Sequence, residues 1–162
     1  AWTVALDGTG QRSALSPSTF RQSQVRFSPD GRFVAYVSDE TGRPEVYVTP
    51  FPPSGRKVRV SSDGAMLMRW PRAGGEILFV SADRKMVAVP VKTAPSLQIG
   101  KPSTLFELQG TLQWTGFDVT ADGRRFLAIV PEVSGFEAPL SIVVGWSPAA
   151  AAIGEDAAKG GR

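Results

Sequence analysis

The chain has 162 residues, with 17 Gly, 13 Pro and neither Cys nor His. That composition excludes disulfides, thiolate or imidazole metal sites, and Ser-His-Asp or Cys-His catalysis. Frequent Pro and Gly disfavour long helices, since each interior Pro costs a helix about 3 kcal/mol. A hydrophobic content of 42% supports a core, and a net charge of +3 favours solubility more than any one partner.

In chain order, the first strand expected is "WTVALDG" (2–8), followed by "RSALS" (12–16). The intervening "GTGQRS" (8–13) leads from strand to strand. It has no helix N-terminus to hold a phosphate and reads as a turn. From residue 25, apolar positions alternate. Val25 and Phe27 precede a turn; Phe33, Ala35 and Val37 then take one face of the next strand, with Val34 and Tyr36 on the other. A strand apolar on both faces belongs to a sheet stacked between two others. "EVYVTPF" (45–51) and "KVRVS" (57–61) follow, then a hairpin over 69–81, "MVAVPV" (86–91) and "TLFEL" (104–108). The last expected elements are a hairpin over 118–130 and "LSIVVGW" (140–146), ahead of a flexible Ala/Gly-rich tail at 147–162.

Three of these segments align without gaps: "RFSPDGRFVAYVS" (26–38), "RWPRAGGEILFVS" (69–81) and "DVTADGRRFLAIV" (118–130). Gly31, Gly74 and Gly123 coincide, and Asp30 and Asp122 precede the first and third of them. In Ser28-Pro29-Asp30-Gly31, Pro29 presets φ at the second turn position and Asp30 suits the third. Gly31 supplies the left-handed residue that ends a type I turn with a bulge. The second copy keeps Gly74 but has Pro71-Arg72-Ala73 before it, which leaves its turn type open.

Each hairpin is followed by further strands, so the count runs two, four, four and three. Four-stranded units repeating at about 40–50 residues point to propeller blades. A β-sandwich is the competitor, but it does not need a gapless repeat at this spacing. The expectation is an all-β partial β-propeller of about three four-stranded antiparallel blades, an incomplete ring. Two strands of a preceding blade occupy 1–20, complete blades 24–62 and 65–108, and an incomplete last blade 115–146.

With "RFSPDGRFVAYVSDETGRPEVYVTPFP" (26–52), "KVRVSSDGAMLMRW" (57–70), "KMVAVPV" (85–91) and "FDVTADGRRFLAIVP" (117–131) in view, the chain resembles the TolB-like, WD-like β-propeller repeat family. More narrowly, it is similar to the C-terminal blades of bacterial propellers that stand alone or follow serine/threonine kinase domains. The resemblance implies a piece of a longer protein, with six blades or so, in a periplasmic or extracytoplasmic setting. The start at Ala1, in mid-blade, agrees with a piece. Composition leaves the compartment open, because a Cys-free chain suits the cytoplasm as well.

The sequence carries no kinase motif and no Gly-x-Ser-x-Gly, and it lacks Asn as well as His. No catalytic, metal or cofactor-binding residue is assigned, and no cofactor is expected. Candidate channel-lining or partner contacts are Arg26, Arg69 and Asp118, which align on the innermost strand; inter-blade ion pairing is the plainer role for them. Pro29, Asp30, Gly31, Gly74, Asp122 and Gly123 are turn residues. Arg56, Lys57 and Arg59 read as a solvated strand face, so nucleic acid is not expected. No stretch reaches the roughly 20 apolar residues of a membrane span. Trp2, Tyr47 and Trp146 on third strands, and Phe27 and Trp70 on first strands, are assigned to core packing by their repetition. The loops at 38–45 and 131–139 are polar surfaces available to partners.

The function expected is a non-catalytic binding or sensor module that docks a protein or small ligand at a channel mouth or loops. Further blades or self-association would close its ring. The alternative is a propeller hydrolase or lyase with a channel site of carboxylates and arginines. The turn assignment has a direct check. Gly31→Val and Gly123→Val should each destabilise by about 1–3 kcal/mol through the left-handed backbone requirement. Gly160→Val, in the tail, should leave a denaturant melt unchanged.

Overall fold

The computed structural model describes residues 1–5, 7–15, 19–108, 116–123 and 125–128. The third strand expected at 140–146, the loop at 131–139, Trp146 and the tail at 147–162 lie outside them. Among the described residues all regular structure is strand. β1 (Trp2–Val4) and β2 (Arg12–Ala14) pair antiparallel. β3 (Gln22–Phe27), β4 (Phe33–Ser38), β5 (Glu45–Pro50) and β6 (Val58–Arg59) form a four-stranded meander.

The next sheet has β7 (Ala65–Arg69), β8 (Glu76–Ser81) and β9 (Lys85–Lys92) in order. Both β10 (Gln98–Ile99) and β11 (Ser103–Glu107) then pair with β9. The two-residue β10 was not foreseen; it lies against the far end of β9, opposite Lys92 and Val91. β12 (Phe117–Val119) and β13 (Phe126–Ala128) make the last described pair. The first meander begins at Gln22, two residues ahead of the expected boundary.

The gapless repeat is reproduced as register. Arg26 lies opposite Ala35, Arg69 opposite Leu78, and Asp118 opposite Leu127. The connecting turns are also equivalent. The amides of Gly31, Gly74 and Gly123 donate to the carbonyls of Ser28, Pro71 and Thr120, each at 2.9 Å. Their φ values are 68°, 69° and 70°. The second copy therefore makes the same turn despite losing its Asp, because the backbone bond and the glycine suffice. Where the Asp is present it is tied in by a hydroxyl. Ser28 Oγ donates to Asp30 at 2.6 Å, and this bond is the main cause that holds the Asp30 carboxyl below its usual range. Thr120 Oγ1 donates likewise to Asp122.

Three apolar layers separate the sheets. Phe33, Ala35, Val37, Val46 and Val48 pack against Met68, Trp70, Ile77, Phe79, Val87 and Val89. The opposite face of that second sheet, with Leu67, Leu78, Val80 and Met86, meets Phe117 and Phe126. The opposite face of the first meander puts Val34, Tyr36 and Tyr47 against Leu15, beside β2. β4 is accordingly buried at every position. Burying a Val- or Phe-sized side chain contributes about 1.5–3 kcal/mol, so these layers dominate the stability.

The aromatic assignment needs correcting in part. Tyr47 and Trp70 are buried, but Trp2 is 68% exposed and Phe27 50% exposed. By strand alternation Trp2 and its cross-strand partner Ala14 point away from the layer that holds Leu15, which leaves the indole largely in water. Phe27 sits at a sheet end and meets Phe51 edge-on, with ring centroids 5.0 Å apart.

The crossover between the two large sheets is fastened by a carboxylate expected in the polar partner loop at 38–45, whose two ends, Ser38 and Glu45, are instead buried as part of β4 and β5. Glu45 is fully buried at the start of β5. It accepts bonds from Arg43 Nε at 2.8 Å, from Ser61 Oγ, and from the Gly64 amide at 3.1 Å. Ser61 Oγ in turn accepts from the Val46 amide at 2.8 Å. Gly64 has φ 86°, and a Cβ there would meet the Ala82 Cβ at 2.8 Å. Glu45→Ala should cost about 2–4 kcal/mol by stranding buried donors. Gly64→Ala should cost a similar amount through strain and overlap. Urea denaturation of both variants checks this, and a loss below about 0.5 kcal/mol in either would remove the clamp from the account.

Candidate functional site

The first strands of the three sheets adjoin, β3 beside β7 and β7 beside β12. This places the three aligned polar residues along one edge of the stack. Arg69 is the hub. Its Nη1 donates to Gln24 Oε1 at 3.2 Å and to the Met68 carbonyl at 2.9 Å. Its Nε lies 3.9 Å from Asp118 Oδ1, and its guanidinium carbon stands 5.3 Å from the centre of the Phe117 ring. Side chains from all three sheets thus converge on one cation.

Burial is the main influence on that cation and lowers the Arg69 pKa; the neighbouring Arg26 charge acts in the same direction, and Asp118 opposes both. Arg26 itself is exposed and donates to the Val25 carbonyl at 2.8 Å. The Arg69 side chain is 19% exposed, whereas Asp118 is 76% exposed. An ion pair at 3.9 Å with so exposed a partner is worth about 0–1 kcal/mol. The site therefore holds two guanidiniums and one loosely attached carboxylate.

Gln24 reaches Arg69 because β3 is irregular. The β3–β4 pairing slips between Ser23 and Arg26, and Gln24 has φ 55°, a left-handed value rare outside Gly. Bulges of this kind redirect side chains. Nothing in the amino-acid pattern announced Gln24, since a bulge leaves no fixed residue signature. Phe117 could have been found, because it directly precedes the aligned Asp118 on the same strand.

The turn residues take structural places. Pro29, Asp30 and Gly31, then Gly74, then Asp122 and Gly123, close the equivalent hairpins that begin two residues after Arg26, Arg69 and Asp118. The Pro29 ring lies 3.5 Å from where a Gly74 Cβ would stand, and Glu76 Oε1 is 3.5 Å from the same point on Gly123. Glu76 occupies the place of Phe33 in the first copy, and burial raises its pKa. A related turn joins β8 to β9. Ser81 Oγ donates to Asp83 at 2.5 Å and accepts from the Lys85 amide, while Arg84 takes the left-handed place at φ 63°. It does not align with the other three in sequence because Arg replaces Gly and the turn is one residue shorter. Lys57 pairs with Glu40 at 2.5 Å and covers the Tyr47 ring, which ties down one member of the basic strip.

This stacking of sheets around converging first strands matches known structures. The β-propeller domain of Myceliophteria thermophila Cps50 (Swd1) superposes with a TM-score of 0.59 at 15% identity, over 80% of this chain and 46% of that one. An oligogalacturonate lyase from Vibrio parahaemolyticus gives 0.57 at 13% identity, over 78% of this chain and 34% of that one. The fold is a partial β-propeller. TolB from Acinetobacter baumannii also matches, with a TM-score of 0.44 at 18% identity, over 83% of this chain and 43% of that one. In sequence, 49 residues are 43% identical to tricorn protease homolog 2 of Streptomyces coelicolor, covering 30% of this chain and 4% of that protein. No family model matches. The chain spans less than half the length of each of these proteins.

In propeller terms, β3, β7 and β12 are the first strands of successive blades, the strands that in a closed propeller lie nearest the central channel. Arg69 bridges three blades at that inner edge. A double-mutant cycle with Arg69→Met and Asp118→Ala should give a coupling below about 1 kcal/mol that fades at high salt. A coupling above about 2 kcal/mol, insensitive to salt, would show a much tighter pair than the geometry allows.

Proposed function

We propose that the chain is a non-catalytic propeller module that binds a small ligand or a protein at its inner-strand edge. The observation that carries this reading is the convergence of Gln24, Arg69 and Asp118 from three successive blades. The broad faces of the two large sheets are consumed by packing, so in them the inner edge and the loops are where polar chemistry is available to a partner. Within a longer bacterial protein, such as one led by a serine/threonine kinase domain, such a module would serve as the sensing or docking end.

The competing reading, a hydrolase or lyase with a carboxylate and arginine site, draws on the fold shared with the Vibrio lyase. Fold alone does not carry chemistry across. Acid–base catalysis by carboxylates needs two of them about 5–10 Å apart, and the Arg69 cluster has Asp118 as its carboxylate among the described residues.

A thermal-shift screen of the purified chain against neutral sugars, amino acids, carboxylates, phosphates and short peptides tests the proposal. Incubation with oligogalacturonate and a mixed peptide substrate, followed by product analysis, completes it. The expected result is a saturable rise in Tm with at least one compound class and no cleavage of either substrate. Cleavage, or silence across the whole screen, would overturn the reading.

A further inference from the structure

Resting on the binding-module reading, we propose that Arg26 and Arg69, with Gln24 as a positioning residue, receive an anionic oxygen group, a carboxylate or phosphate, of a small ligand. The two arginines stand at equivalent register places on adjoining inner strands, and the Arg26 charge acts against that of Arg69. The described carboxylate beside Arg69, Asp118, stands off at 3.9 Å and is mostly in water. Its Oδ1 already accepts from the Val119 amide at 2.9 Å, so an incoming anion can displace it from the guanidinium. An incoming anion would relieve the repulsion and gain charge-assisted hydrogen bonds at the same time.

Arg69 is also prepared for the task. Gln24 Oε1 and the Met68 carbonyl hold its Nη1, and Phe117 lies against its face. Among the described residues nothing accepts a bond from its Nη2. A planar guanidinium fixed in this way presents its remaining donors without further ordering, which lowers the entropic cost of binding. The bulge that turns Gln24 toward Arg69, with its left-handed φ of 55°, is part of the same preparation. Two cations suit one charged group, whereas a polyanion would call for a longer basic track.

Isothermal titration with inorganic phosphate and, separately, with citrate, at ionic strength held constant with chloride, tests the assignment. Wild type should bind at least one of them saturably, and the one that binds names the group. Arg26→Gln should weaken binding about tenfold, as expected for the loss of one charged hydrogen bond. Arg69→Gln should abolish it. Asp118→Asn should tighten it, because a competing carboxylate is removed; a role in blade packing alone would not produce that gain. Circular-dichroism melts confirm folding. If Arg69→Gln unfolds, the exposed positions Arg26 and Asp118 decide between them.

Absence of saturable phosphate or citrate binding in both wild type and Asp118→Asn would overturn the proposal. So would binding that neither Arg26→Gln nor Asp118→Asn alters. If the wider screen then yields a neutral ligand, the anion class fails while the binding module stands. If it yields nothing, both fail.

Discussion

A β-sheet with two apolar faces must be covered on both, and the rest of this structure depends on that requirement. β4 shows it most plainly, because successive residues point to opposite faces and every one is buried. Phe33, Ala35 and Val37 enter the layer shared with the following blade, while Val34 and Tyr36 enter the layer shared with the preceding pair. Sandwiching of this kind fixes the stacking order of the blades. It also forces polar side chains to the strand ends, the loops and the inner edge, where Arg69 and its partners collect.

Much of the architecture was legible because period-2 patterning and the Gly of the shared turn are local signals. Alternation in 33–37 announced a doubly covered strand, and the three aligned glycines announced equivalent hairpins. The register then followed, since the same turn geometry sets the same cross-strand partner in each copy. What the pattern could not carry was context. Trp2 and Tyr47 look equivalent in sequence, yet one faces outward and the other is enclosed by neighbours on both sides. Glu45 heads an apolar strand and looks like an exposed charge, but the crossover after β6 folds over it.

The polar edge was legible only in outline. Alignment brought Arg26, Arg69 and Asp118 to equivalent positions, and the structure adds which of them meet. Both arginines donate to the carbonyl of the residue before them, and Arg69 in addition contacts residues of the blades on either side. That asymmetry comes from the irregularity at Gln24 and from the Phe117 ring, features produced by backbone geometry and tertiary placement. A repeat in sequence thus yields a site in which two copies share one local bond and a single copy carries the contacts between blades.

The nesting of hairpin tips, Pro29 on Gly74 and Glu76 on Gly123, has a geometric consequence of its own. At Gly74 a methyl would only touch the Pro29 ring, and a larger side chain would press on that rigid ring; at Gly123 the neighbour is the movable end of the Glu76 side chain. Because the blades are otherwise packed as near-rigid slabs, separation at one rim becomes rotation of one slab against the next. Gly74, against the rigid Pro29 ring, is therefore the place where added bulk bears most directly on the angle between two successive blades. Small errors there would accumulate around a ring.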